Sequence, residues 1–174
     1  AMSVRPNTPD GLKPKDLMGV PWRLAFALQD AGWFLRADIV WNKPNAMPES
    51  VKDRPTRSHE YIFMLTKSEK YYYDKSAVLE ANGRNKRTVW DVNTQAFPEA
   101  HFATFPPKLV EPCILASTRP GDVVLDPFFG SGTVGLVAAQ LGRRYLGIEL
   151  HGEYVDIALR RLANDEVSVS SAAA

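Results

Sequence analysis

The chain has 174 residues, 45% apolar and 24% charged, the proportions of one soluble globular domain long enough to bury a real core. A formal charge of +1 excludes a global attraction to nucleic acid, so any such attraction must be local, in the basic clusters at 52–57, 84–87 or Arg143-Arg144. A single cysteine (Cys113) excludes an intramolecular disulfide or a thiolate metal cluster, and the scattered His59, His101 and His151 lack metal-ligand spacing; with no apolar run of membrane length and no signal segment, a reducing, cytoplasmic setting without metal or membrane is expected.

Residues 1–16, rich in Pro, Asn, Gly and Lys, read as an irregular lead-in that ends on Asp16, a helix cap. The helix that follows repeats Val20, Leu24, Ala27, Leu28 and Ala31 on one face, tolerates Pro21 only in its first turn, and stops at Gly32. LRADIVW (35–41) alternates as a strand does, and NKPNAMPES is a proline-punctuated loop at its end. EYIFMLTK (60–67) and KYYYD (70–74) read as strands of a sheet covered on both faces. Residues 80–100 are polar and turn-rich. KLVEPCILAS (108–117) is helical, with Val110, Cys113, Ile114 and Ser117 on one face, which makes Cys113 a core residue. RPGD turns into the strand VVLDPF, and GSGT opens a helix that buries Val134, Val137, Ala138 and Leu141 and closes on Gly142. RYLGIEL (144–150) is a further strand, and EYVDIALRRL (153–162) a helix with Val155, Ala158, Leu159 and Leu162 facing in. One domain is expected over 17–163 and a disordered tail over 164–174. Strands alternating with helices predict a mostly parallel α/β sheet.

The chemistry concentrates in DPFFGSGTVG (126–135). Gly130-x-Gly132-x-x-Gly135 follows a strand and opens a helix, so its backbone can pass close to a ligand and offer free amides. Glu149 ends the next strand 19 positions after Gly130, where a carboxylate accepts hydrogen bonds from both ribose hydroxyls of an adenosine. Asp126 decides which adenosine-bearing cofactor. Two like charges a few Å apart repel by roughly 4 kcal/mol at an effective dielectric near 20, so a pyrophosphate is disfavoured there. S-adenosylmethionine carries a sulfonium and an ammonium, which the same acid attracts. Asp126 as a simple cap of the following turn stays open. So does plain core packing for Phe128 and Phe129, either of which could wall the adenine or face the sulfonium.

VVLDPFFGSGTVGLVAAQLGRRYLGIEL resembles the cofactor-binding segment of the circularly permuted, beta-class DNA adenine-N6/cytosine-N4 amino-methyltransferases. HFATFPPKLVEPCILAS (101–117) resembles the segment before it, and GVPWRLAFALQDAGWFLRADIVWNKPN (19–45) and RPTRSHEYIFMLTKSEKYYYD (54–74) are similar to segments of the catalytic half. The likeness spans nearly all of residues 10–162. It implies a Rossmann-like S-adenosylmethionine-dependent methyltransferase fold, α/β with a mostly parallel sheet and helices on both faces, circularly permuted. It implies methyl transfer from S-adenosylmethionine to the exocyclic amine of a flipped adenine or cytosine in double-stranded DNA. It also implies that Asp126, Pro127, Phe128, Gly130, Ser131, Gly132 and Thr133 hold the cofactor, with Glu149 on the ribose and Thr104 and Phe105 near the methionine end.

The family's Asp-Pro-Pro-Tyr or Ser-Pro-Pro-Tyr loop, which places the target amine, does not occur in these residues, nor does the strand that carries it; Asp126-Pro127-Phe128-Phe129 belongs to the cofactor site instead. About a dozen residues stand where the target-recognition region is usual. No catalytic residue is therefore identified in this chain. It is expected to be inactive alone, missing a central strand, and either to close that gap or to associate as a homo-oligomer or with a complementary chain. Lys43, Arg54, Arg57, Arg84, Lys86 and Arg87 are the candidate DNA contacts. Two other classes stay open: a non-catalytic, S-adenosylmethionine-binding or DNA-associated partner or degenerate copy, and a more remote NAD-dependent oxidoreductase resting on the glycine spacing.

Overall fold

The computed structural model describes residues 8–95 and 104–172, with side chains to residue 164. Part of the expected lead-in, the start of the 101–117 segment and the last two residues of the tail lie outside the described residues.

Helix α1 (Val20–Asp30) begins at Gly19, whose φ of 64° lies in the left-handed region that glycine enters without a Cβ penalty. Asp16 is not its cap: the Asp16 carboxylate accepts the Lys13 N–H at 2.9 Å and closes the preceding turn. Pro21 lies in the first turn of the helix. Strand β1 (Phe34–Asn42) pairs antiparallel with β2 (His59–Thr66), and with β3 (Val89–Asp91) it forms a parallel pair over Val40–Asn42 only, giving the order β2-β1-β3. Strand β3 lies in the stretch expected to be turn-rich; a β-branched and aromatic triplet, Thr88-Val89-Trp90, is the local signal for it. The expected strand at 70–74 does not form. Tyr71 and Tyr72 instead lie beneath Arg36 and Arg119, at 5.7 and 4.0 Å from the ring centres.

This first sheet is covered on both faces. On one face Trp22 of α1 meets Tyr61 and Phe63 edge-on, at 5.2 and 4.9 Å. On the other, Trp41, Trp90 and Ile62 pack with Leu109 and Cys113 of α2 (Pro107–Ser117). The period of 2 along β2 puts Tyr61 and Phe63 opposite Ile62, which is how one strand serves both layers. Helix α2 is shared. Its Ile114 and Val110 pack instead on Val137, Ala138 and Val134 of α3 (Thr133–Gln140) and on Val124 of β4 (Val123–Asp126). Ser117, expected on the inward face, is exposed and donates its hydroxyl to the Cys113 carbonyl.

Strand β4 pairs parallel with β5 (Arg144–Gly147), and these two form a sheet of their own. The described residues thus hold two sheets, one mixed and one parallel, rather than one mostly parallel sheet. Only one face of the second sheet is covered. Val124 points to α3, whereas Val123, Leu125, Leu146 and Ile148 are each more than half exposed. Helix α4 (Gly152–Ala172) buries Ile157, Ala158 and Leu162; Leu159 and Val155, expected inward, are exposed. It runs through most of the span expected to be a disordered tail. The expected inward face of α1 is likewise open at Val20 and Leu24, and Ala25 is buried instead. Among the described residues no helix is long and apolar enough to cross a membrane.

Candidate functional site

The glycine turn joins β4 to α3 at the C-terminal end of the two-stranded sheet, the end at which open α/β sheets bind ligands. Gly130 (φ 51°) and Gly132 (φ 78°) both adopt the left-handed conformation. Gly132 is constrained a second way, because a Cβ there would lie 2.9 Å from the Cβ of Ala158 on α4. Gly135 and Gly147 serve packing. A Cβ on Gly147 would come within 2.3 Å of the Phe129 ring, and one on Gly135 within 2.6 Å. Phe129 therefore packs between α3 and β5, parallel to Tyr145 at 6.0 Å, and is half-buried. Phe128 is 86% exposed at the lip of the turn.

Two acids flank this turn. Asp126 accepts the Phe128 N–H at 2.9 Å through Oδ1, so the turn-cap reading of Asp126 holds for that oxygen. Among the described residues it takes part in no ion pair. Glu149 accepts the Gly130 N–H at 2.8 Å through Oε2 and the His151 N–H at 2.9 Å through Oε1. The His151 amide, followed by that of Gly130, holds the Glu149 carboxyl below its ordinary pKa, since both bonds favour the charged form. The spacing of 19 residues is thus a direct hydrogen bond between the acid and the turn.

Ser131 and Thr133 stand behind the turn, 3% and 5% exposed. Both hydroxyls accept hydrogen bonds from Arg161 Nη1, at 3.0 and 3.2 Å, and the Ser131 carbonyl accepts a third at 2.8 Å. Sequence reasoning passed over Arg161. Its signal was an arginine on the apolar face of α4, one turn beyond Ala158 and beside Leu162. Thr104 is half-buried and Phe105 partly exposed, just ahead of the fully buried Pro106 at the start of α2; no hydrogen bond among the described residues ties either to the turn.

The basic candidates fall in two groups. Lys43 pairs with Glu60 and lies 4.3 Å above the Trp41 ring, and Arg54 pairs with Glu49 at 2.7 Å. Lys43 and Arg57 share a polar cavity of about 390 Å³ with Glu49, His59, Glu60 and Pro21. Arg87 pairs with Glu80 at 2.9 Å, and Lys86 lies 4.8 Å above Trp90. Lys86 and Arg87 border an apolar cavity of about 280 Å³ between the first sheet and α2. Arg84 is exposed beside them in sequence. The glycine turn lines neither of these two cavities.

A family of N6/N4 methyltransferases, described as DNA methylase, matches residues 5–160. The chain belongs to this family. As a DNA methylase family member it is 70% identical over 178 residues to the type II methyltransferase M.Cfr9I of Citrobacter freundii, with 100% of the chain and 59% of that protein covered. It is 60% identical to M.SmaI of Serratia marcescens, over 93% of the chain and 58% of the relative. Among solved structures, the M1.HpyAVI–SAM complex superposes with a TM-score of 0.70 at 30% identity, covering 84% of this chain and 71% of that one. The cytosine-N4-specific PvuII DNA methyltransferase gives 0.74 at 26%, over 88% and 59%. The chain thus spans about three-fifths of the length of these curated relatives.

Proposed function

We propose that this chain is the cofactor-holding part of a type II DNA amino-methyltransferase that methylates the exocyclic amine of adenine or cytosine in double-stranded DNA. The observation that carries the reading is the hydrogen bond of the Gly130 amide to Glu149, which sets a carboxylate beside a glycine turn and supports reading it as the ribose acid. The residues fit S-adenosylmethionine. Two left-handed glycines expose the upper side of the turn, Glu149 lies at its edge, and among the described residues Asp126 takes part in no ion pair. That cofactor would supply an electrophilic methyl group. Asp126 would hold its positive end, and Pro127 and the exposed Phe128 would flank the adenine. Gly130, Ser131, Gly132 and Thr133 would act through backbone amides, because both hydroxyls are buried behind the turn. Thr104 and Phe105 would close the methionine end.

The group that places the target amine is not among these residues, so we read the chain as inactive until a complementary segment supplies it. The uncovered face at Val123, Leu125, Leu146 and Ile148, and a β1 edge paired only over Val40–Asn42, support a partner that adds a strand and covers that face. This deepens the circularly permuted reading, in which the catalytic half precedes the cofactor half. For DNA, the internal ion pairs of Lys43, Arg54 and Arg87 leave Arg57, Arg84 and Lys86 as the better phosphate contacts.

Calorimetric titration with S-adenosylmethionine and with NADH tests the reading. Micromolar binding of the first, none of the second, and loss of about a hundredfold or more in Asp126→Lys are expected, since one like charge nearby opposes binding by roughly 4 kcal/mol. Preference for NADH would overturn it. Transfer of labelled methyl to DNA by the 174-residue chain alone would refute the inactivity. A monodisperse, thermally robust monomer would count against a complementary partner.

A further inference from the structure

We infer that Arg161 is a positioning residue of the cofactor site, holding the glycine turn in its ligand-ready shape from the side away from the ligand. The inference rests on the S-adenosylmethionine reading above and adds a residue from outside the glycine motif. Three acceptors converge on one nitrogen, Arg161 Nη1: the Ser131 carbonyl at 2.8 Å, the Ser131 hydroxyl at 3.0 Å and the Thr133 hydroxyl at 3.2 Å. They lie on either side of Gly132, the residue whose φ of 78° turns the chain into α3. One helical turn back, Ala158 stands against the same glycine so closely that a Cβ there would meet it at 2.9 Å. Ala158 therefore sets how near the turn can come to α4, and Arg161 sets its orientation.

Ser and Thr cap many helix starts from the N-cap position, but here that position is Gly132, with Ser131 and Thr133 on either side of it. Here α3 has no side-chain cap. Its first-turn amides therefore carry none, and Arg161 holds the Ser131 and Thr133 hydroxyls on the far side of the turn. A guanidinium suits this task better than an ammonium, since it is permanently charged and planar and loses less freedom per hydrogen bond.

The test uses the whole chain and two readouts. Hydrogen exchange of the ligand-free protein follows the Gly130 and Gly132 amides, which donate to Glu149 and to the Phe129 carbonyl. In Arg161→Ala these amides should exchange at least tenfold faster while those of β1 and β2 are unchanged, and methylguanidinium should restore part of the protection. In calorimetry the same variant should bind S-adenosylmethionine about 10- to 100-fold more weakly. Methylguanidinium should recover affinity where an equal concentration of sodium chloride does not. Ser131→Ala/Thr133→Val, which keeps the arginine, should show a smaller loss that does not add to that of Arg161→Ala. Unchanged exchange at the turn, or a uniform rise through the chain, would overturn the role. If the wild-type protein binds no S-adenosylmethionine, the proposed function fails while the exchange experiment still decides the role of Arg161.

Discussion

The two sheets of this chain differ in cover, and the difference shows which half is self-sufficient. The three-stranded sheet has α1 against Tyr61 and Phe63 on one face and α2 against Trp41 and Trp90 on the other. The two-stranded sheet that presents the glycine turn packs Val124 on α3 and leaves Val123, Leu125, Leu146 and Ile148 open. Burying a Leu or Ile side chain contributes about 1.5–3 kcal/mol. Four half-open side chains therefore forgo several kcal/mol, a large share of the 5–15 kcal/mol typical of a whole domain. The half that presents the glycine turn is unfinished on its back face, whereas the other half is covered on both.

The sharpest way to break this contrast is to cut one large apolar side chain from each sheet. Trp41→Ala should lower stability by about 3–5 kcal/mol, and Leu125→Ala by less than about 1, measured by denaturant unfolding. Equal losses would mean that the second sheet is covered in solution. Next in size, Gly147→Ala should cost about 1–3 kcal/mol because its methyl overlaps the Phe129 ring, whereas Gly152→Ala, which meets nothing within 4 Å, should be nearly neutral.

A smaller effect follows from Glu149. Its pKa is lowered in the fold from the ordinary 4.5, so its contribution is fully present above that value and fades as pH falls through the depressed one. Protection of the Gly130 amide should drop with acidification in the wild type and lose that dependence in Glu149→Gln. The smallest effect is at Cys113, where burial pushes the thiol up to about 11. The unfolded chain ionises first, so stability should decline slightly as pH rises above 9.0, and Cys113→Ala should remove that slope. A thiol reagent should label Cys113 much more slowly in the folded chain than after unfolding.

The parts of the site legible in the sequence are those whose code is local. A strand, a glycine turn, a helix and an acid 19 residues on are fixed by backbone freedom and short-range periodicity, and Glu149 and Gly130 do meet. The roles of the two phenylalanines were not legible, because Phe129 is claimed by Gly135 and Gly147 from two different elements. Asp16 looked like a cap, yet Gly19 starts α1 and the acid closes the turn before it. Tyr71 and Tyr72 have strand-favouring chemistry, but arginines rather than a neighbouring strand take them up.

By itself the sequence determined the family and, over residues 123–149, the succession of strand, glycine turn, helix, strand and acid, since that unit is written in residues close together in the chain. Only the tertiary structure decided that there are two sheets rather than one, that α2 carries the core of both, and that Arg161 reaches 30 residues back to hold Ser131. The physical reason is that a side chain's periodicity says it wants a partner, whereas burial, pairing and orientation depend on which partner is within reach.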